Sequence, residues 1–388
     1  MTDMPARPEA DGGGAGASVK HHYVPRGYLA PFTSDGAKRT GKVWAYPRGD
    51  RDVAVHSRLD GVAFEDALYD VPAEEGYPPA DFERFLAREI EAPFLSWQRS
   101  IVNAPRGRAG DVFGRMTPAQ RTAIARYLAY QQQRTPAHRL LDERISQVGL
   151  EQRLDHPDVV QGIEELYDRM GAWHLQPLEG PGRARGVRIF AEAMRIFARE
   201  RVATMKALWL RPIQRLAEAG ALIIRDELVW RLVELPPEVA RERQLVTCDD
   251  PLVLARPGLQ DGPQPVMGDL AWGVRVGAGW REPGLQASLA LSPRHVLLLA
   301  RTADALAFAD DPVHLAHVVR VRTARAALRW VYARAVDAEV QAVARSAPAR
   351  EVHFVIGGVP FGPDVHPRLV SDAIRLIDEP ATEIRYTG

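Results

Sequence analysis

The chain is short of cysteine and lysine, has no long apolar run and carries no net charge, and each shortage removes a class of explanation. Its single cysteine, Cys248, leaves no partner for an intrachain disulfide and no multi-cysteine zinc site, so any metal would be held by His, Asp or Glu. No stretch of about 18 apolar residues occurs, which argues against a transmembrane helix, and the first twenty residues lack the apolar core of a secretory signal. The expected location is therefore the cytoplasm, with no membrane partner. Formal charge is zero, with 50 basic and 50 acidic residues, so no overall field draws the chain onto nucleic acid, which is left only the role of a substrate. Lysine occurs only at Lys20, Lys38, Lys42 and Lys206. That arginine excess reads as GC-rich codon usage rather than phosphate chemistry. There is no phosphate-binding glycine loop, no dinucleotide fingerprint, no Gly-x-Ser-x-Gly elbow and no His-Glu-x-x-His zinc motif.

What is present is a globular composition, 46% hydrophobic and 26% charged over 388 residues, enough to bury a sizeable core. Residues 1–19, rich in glycine and alanine, have too little apolar content to offset ordering entropy and read as a disordered tail. Residues 20–365 read as a single α+β domain, with sub-parts 20–215 (a hairpin plus a helical layer) and 225–360 (a sheet plus a helix), followed by a C-terminal extension over 366–388. Alternation predicts strands at Lys42–Tyr46 and Asp52–His56, joined by a Pro47-Arg48-Gly49-Asp50 turn. Apolar residues Phe82, Phe85, Leu86, Ile90, Phe94, Trp97 and Ile101 predict a helix from Asp81, its N-cap, to Ile101, kinked at Pro93. Thr117-Pro118-Ala119-Gln120 spells a capping box that opens a second long helix. A third is predicted over Val187–Leu210, ending near Pro212. Strands follow at Val229–Leu235, Leu245–Thr247, Leu252–Leu254, Ala287–Leu291 and Val296–Leu299, then a long helix over Asp311–Arg345 and a strand at Val352–Ile356. The fold class is thus α+β: an N-terminal β-hairpin unit, long central helices and a mostly antiparallel sheet followed by a long C-terminal helix.

Three places carry chemistry. The first is the run from Lys20 to Phe32, where His21 and His22 stand beside Arg26; neutral imidazole ligates metals or accepts protons, and guanidinium reads oxyanions. On the second helix the apolar stripe of Ile124, Tyr127 and Leu128 extends onto Gln131, Gln132 and Arg134. A buried arginine needs a partner, so something acidic or polar is expected opposite, in a structural network or a site. The third is Thr247-Cys248-Asp249-Asp250-Pro251, whose paired carboxylates suit a divalent cation or acid–base work, though turn chemistry explains Asp-Asp-Pro equally well. Arg294, in the strand-end turn after Leu291-Ser292-Pro293, could hold an anion or pair with those aspartates.

Taken together, His21-His22-Tyr23-Val24-Pro25 with Tyr28-Leu29 and Phe32, Gln131-Gln132-Gln133-Arg134-Thr135-Pro136, Thr247-Cys248-Asp249-Asp250-Pro251 and Leu291-Ser292-Pro293 resemble a bacterial family, domain of unknown function 4238, over about residues 20 to 333. The resemblance implies no activity, because the family's activity is not established, but it nominates residues: the two histidines and Pro25, Ile90 and Glu91 on the first helix, Arg134-Thr135-Pro136 on the second, and Asp249. The chain departs where the family pattern has Ser-Asp-Asn-Pro, with Cys248 for the serine and Asp250 for the asparagine. Nor is the asparagine expected near the final helix evident around Val319–Arg322. Periodicity selects Glu89 as the carboxylate on the apolar face, whereas the resemblance selects Glu91, which is preferred.

The leading expectation is a metal-dependent hydrolase acting on a phosphodiester or similar anionic substrate. In it His21, His22, Glu91, Asp249 and Asp250 hold a divalent metal (Mg, Mn or Zn), with His22, Glu91, Asp249 and Arg134 catalytic and Arg26, Gln131 and Arg294 binding substrate. Adjacent strand residues point to opposite faces, so at most one of His21 and His22 enters a common site. The alternative is a non-enzymatic binding or interaction module whose polar motifs form a structural salt-bridge core, dry and fully paired. A third reading, a non-hydrolytic anion or nucleotide binder, would use Arg26, Arg134 and Arg294.

Overall fold

The computed structural model describes residues 20–36, 40–48, 54–66, 68–69, 79–136, 206–255 and 284–346, with isolated residues and short strands elsewhere. The N-terminal tail, nearly all of the C-terminal extension and most of the predicted helix over Val187–Leu210 lie outside the described residues.

Strand β1 (Lys20–His22) pairs antiparallel with β4 (Phe64–Asp66), so that His21 faces Glu65 in register. Between them, β2 (Lys42–Pro47) and β3 (Val55–Arg58) pair antiparallel, with Lys42 opposite Arg58 and Ala45 opposite Val55; the second strand, expected over Asp52–His56, runs on past His56 to Arg58. Pro47 belongs to the strand; Gly49 and Asp50 of the predicted turn lie outside the described residues. A short helix, α1 (Arg26–Leu29), buries Tyr28 and Leu29.

The first long helix begins at Pro79, so Asp81 lies inside it rather than capping it. It runs as α2 (Pro79–Phe85), a π-helical stretch over Leu86–Glu91, and α3 (Ala92–Val102). Pro93 has no N–H to donate four residues back. The turn ahead of it is widened, Ala92 N–H bonding Ala87 O five residues back, and this insertion stands where a kink is expected. After α4 (Ala109–Gly114), α5 (Pro118–Gln133) starts from the predicted box: Thr117 N donates to Gln120 Oε1 and Gln120 N to Thr117 Oγ1.

Helix α6 (Lys206–Glu227) continues through Pro212, where the sequence suggests a stop. Its buried face of Ile213, Ala217, Ala221 and Ile224 outweighs one missing hydrogen bond. It packs on α5, where Arg126 makes a forked contact with Glu218 at 2.7–3.2 Å and Arg121 donates to the carbonyls of Arg225, in the last turn of α6, and of Leu228, just past its end. Gly220 sits at the crossing, where a Cβ would lie 3.3 Å from Trp280 Nε1 and 3.5 Å from Ala129 Cβ.

The second half supplies β5 (Val229–Glu234), α7 (Pro237–Glu242), β6 (Thr247–Cys248), β7 (Leu252–Ala255), β8 (Gln286–Ser292) and β9 (His295–Ala300). Strands β5-β9-β8-β7 form one antiparallel sheet, and β3-β2-β10-β6 form another, where β10 is Trp330–Ala333. In place of one helix over Asp311–Arg345 the chain makes α8 (Pro312–Ala326), then β10, then α9 (Ala338–Ser346). Asp311 caps α8, accepting from Val313 N and His314 N. The main core joins α1–α6 to the β5-β9-β8-β7 sheet; a smaller one gathers Tyr46, Val246, Val331 and Val340 under α9. Among the described residues, no helix is long and apolar enough to cross a membrane.

Candidate functional site

The capping box fixes where α5 starts, and its length then sets Arg134 at the C-cap, with Gln131 one turn before it on the same face. Arg134 is 1% exposed and forms an ion pair with Glu91. Its Nε donates to Gln131 Oε1 at 3.0 Å, and Gln131 Nε2 donates to Tyr23 O at 3.0 Å. One chain of bonds therefore links Glu91, Arg134, Gln131 and the first motif. Burial disfavours the charged guanidinium, but Glu91, Tyr69 and Tyr127 outweigh it and leave its pKa above the ordinary value. Glu89 is exposed, so the carboxylate opposite Arg134 is Glu91.

The two histidines diverge, as the pleat requires. His21 is buried; its Nδ1 accepts from Tyr69 N at 3.0 Å, which places the ring proton on Nε2, 3.0 Å from Glu83 Oε2. His22 turns to the other face, its ring against Phe64. Burial first, then Arg26, lowers its pKa to about 4. Arg26 itself is exposed.

Asp249 is 1% exposed and occupied by backbone. Its Oδ1 accepts from Leu328 N at 2.8 Å, and its Oδ2 from Arg329 N at 2.6 Å and Trp330 N at 3.1 Å. It thus caps the segment between α8 and β10. Asp250 is half-buried, and its carbonyl accepts from Cys248 Sγ at 3.0 Å. Arg294 does not pair with the aspartates; it faces Glu234 at 3.7 Å. Beside it Ser292 Oγ accepts from Arg294 N and His295 N and contacts His295 Nδ1 at 2.8 Å, which ties the β8–β9 turn. Burial, then Arg294, lowers the His295 pKa to about 4.

Tyr28, which the first motif contains but to which the sequence assigns no role, and Gln98 and Glu83, which sequence reasoning passed over, extend these contacts. Tyr28 OH donates to Ala290 O at 2.7 Å and lies 2.9 Å from Thr247 Oγ1, joining the first and third motifs to β8. Gln98 Nε2 donates to Tyr28 O at 3.2 Å and Leu291 O at 2.8 Å. Gln98 carried a legible signal, an amide beside Trp97 and between Phe94 and Ile101 on the buried face of α3. Glu83 carried none. Where the resemblance expects asparagine, Arg320 is buried and reaches Asp337 at 2.7 and 2.8 Å and Glu339 at 2.9 Å.

These motif residues converge on one framework spanning α1, the π stretch, α3, α5, β6 and β8. The family described as a protein of unknown function (DUF4238) matches residues 20–336. The chain belongs to the DUF4238 family. No curated protein and no solved structure matches it. Against the metal expected from the DUF4238 motifs, the donor set fits poorly: His21 and His22 face apart, both Asp249 oxygens accept backbone N–H groups, and Glu91 pairs with Arg134. Among the described residues, no group of three His, Cys, Asp or Glu is arranged to hold a metal ion. A crevice of about 450 Å³ at α3, α4 and the start of α5 has none of the motif residues in its lining.

Proposed function

We propose that this DUF4238 protein is a binding or interaction module whose motif residues do no chemistry: they lock the helical layer to the two sheets. The observation that carries this reading is the carboxylate of Asp249, whose two oxygens take three backbone N–H groups at 2.6–3.1 Å. A metal ligand or general base needs a free lone pair directed at its target. Arg134, which a hydrolase would aim at a substrate anion, is closed from solvent and spends its fork on Glu91 and Gln131. The motifs therefore supply registration, through bonds such as Tyr28 to Thr247 and Ala290, Gln131 to Tyr23 and Asp249 to Leu328 that join segments far apart in the chain.

Asp249→Asn is the test. The amide keeps one acceptor and turns an NH2 group toward N–H donors, at a cost of about 3 kcal/mol. The expected result is a lower urea midpoint, no change in wild-type melting temperature with Mn²⁺, and no Mn²⁺-dependent cleavage of bis(p-nitrophenyl) phosphate. Wild-type stability in the variant, together with Mn²⁺-dependent cleavage that the variant has lost, would replace the module with the metal-dependent hydrolase.

A further inference from the structure

We infer that the β8–β9 turn is a proton-operated catch, closed while the His295 ring is neutral and opened when that ring takes up a proton. The turn, Ser292-Pro293-Arg294, stands at a junction. Leu291 O accepts from Gln98 Nε2 on α3 at 2.8 Å, Pro293 O from Leu245 N, just ahead of β6, at 2.8 Å, and Arg294 O from Leu235 N, just past β5, at 2.7 Å. Opening the turn therefore loosens three attachments at once. Leu291-Ser292-Pro293 is one of the motifs, so the inference rests on the lock of the proposed function and adds a way of releasing it.

The catch is built on one hydroxyl. Ser292 Oγ accepts from Arg294 N at 3.2 Å and from His295 N at 3.1 Å, which fills both of its lone pairs. The contact to His295 Nδ1 at 2.8 Å is then made by the hydroxyl proton, so Nδ1 accepts and Nε2 carries the ring hydrogen. An added proton must go to Nδ1, where it meets a donor. The ring is 0% exposed, so water does not solvate the new charge. Among the described residues the charged groups at the ring are Arg294, of like sign, and Glu234 on β5. Glu234 Oε2 lies 3.9 Å from Nε2, beyond hydrogen-bond reach, and already takes Gly107 N–H at 3.1 Å. The closed turn thus holds the ring neutral, with burial first and Arg294 second lowering its pKa from 6.5 to about 4. An opened turn restores the ordinary value, so each pH unit below 6.5 favours opening about tenfold until the closed turn takes the proton as well.

The test is amide hydrogen exchange in the ¹⁵N-labelled full chain by two-dimensional NMR, with rates corrected for their intrinsic pH dependence to give opening constants. Leu235 and Leu245 N–H report the turn, and Leu297 and Leu298 N–H, in the middle of β9, report the sheet. The opening constant of the turn amides is expected to rise about thirtyfold from pH 7.5 to pH 5, ahead of the β9 amides, and to lose that rise in His295→Gln. Nitrogen shifts of the wild-type His295 ring give a check that needs no variant: a neutral imidazole with its hydrogen on Nε2 is expected at pH 6. A charged ring or an Nδ1–H tautomer at pH 6, turn amides that open no more readily in acid, turn and β9 amides that open together, or a rise that survives in His295→Gln would each overturn the catch. Asp249→Asn reads the lock with His295 in place, so the two readings fail separately.

Discussion

Glu91→Gln removes the counter-charge of a guanidinium that is 1% exposed. Breaking a buried ion pair from one side costs about 3–5 kcal/mol, because the remaining charge stays buried. Glu91 is itself 19% exposed, so water partly replaces it and the expected loss is at the lower end, about 3 kcal/mol. Arg134→Met leaves the carboxylate partly wet but orphans Gln131 Oε1, at about 2 kcal/mol. In the double variant no charge is left unpaired, and the loss should be close to that of Arg134→Met alone, giving a coupling of roughly 3 kcal/mol. Urea denaturation followed by far-UV circular dichroism at pH 7.5 measures all four proteins, with equal m-values required for the comparison. Additive losses within about 0.5 kcal/mol would refute the reasoning, because they would mean that the pair does not hold the π stretch to α5. A stable or stabilised Glu91→Gln protein would refute it more sharply, since residues kept for chemistry at the expense of folding often stabilise when neutralised.

Two further outcomes are expected. Tyr28→Phe keeps the ring against Phe32 and Phe94 but strips partners from Thr247 Oγ1 and Ala290 O, for a loss of about 2 kcal/mol in the same urea assay; a change under about 0.5 kcal/mol would remove Tyr28 from the lock. Acid should destabilise the fold through His22 and His295, whose folded pKa values lie near 4 against an ordinary 6.5. The unfolded chain takes up these protons first, so their stability is whole above pH 6.5 and is lost as pH falls from 6.5 toward 4. For the fully buried His295 the loss between pH 7.5 and 5 is about 2 kcal/mol. His295→Gln should flatten that part of the profile, and an identical slope in the variant would sink the assignment to this residue.

Sequence reasoning reached the elements whose determinants are local. The capping box at Thr117 and Gln120, the hairpin of β2 and β3, and the apolar strands β8 and β9 follow from residues a few positions apart. The polar end of α5 was legible too, since Gln131 and Arg134 continue an apolar stripe and so required an acid opposite. Which acid was not legible from periodicity. A 3.6-residue period carried on from Phe82 and Phe85 selects Glu89, but the π stretch ahead of Pro93 inserts a residue and turns Glu91 inward. The resemblance carried the correct residue because a motif records the outcome of that insertion without explaining it. Roles were least legible. The types that make a metal site, His, Asp, Glu and Arg, are the types that make a buried polar lock, and only their partners distinguish the two.

Asp249 shows why those partners escape a linear reading. From Thr323 to Leu328 the sequence, Thr-Ala-Arg-Ala-Ala-Leu, is nearly all good helix formers, and nothing local says that α8 should stop. It stops because a carboxylate 79 residues earlier in the chain accepts the N–H of Leu328, then those of Arg329 and Trp330. With these donors engaged by Asp249 rather than by helix carbonyls, Ala327 turns out of the helix with ψ near 135°. Trp330–Ala333 can then run antiparallel between β2 and β6, with Asp249 N returning a bond to Trp330 O at 3.1 Å. The same aspartate thus ends a helix, starts a strand and fixes the register of a sheet. That threefold constraint gives the Asp249 variant its power to discriminate: a lost lock shows in stability, a lost catalyst in rate.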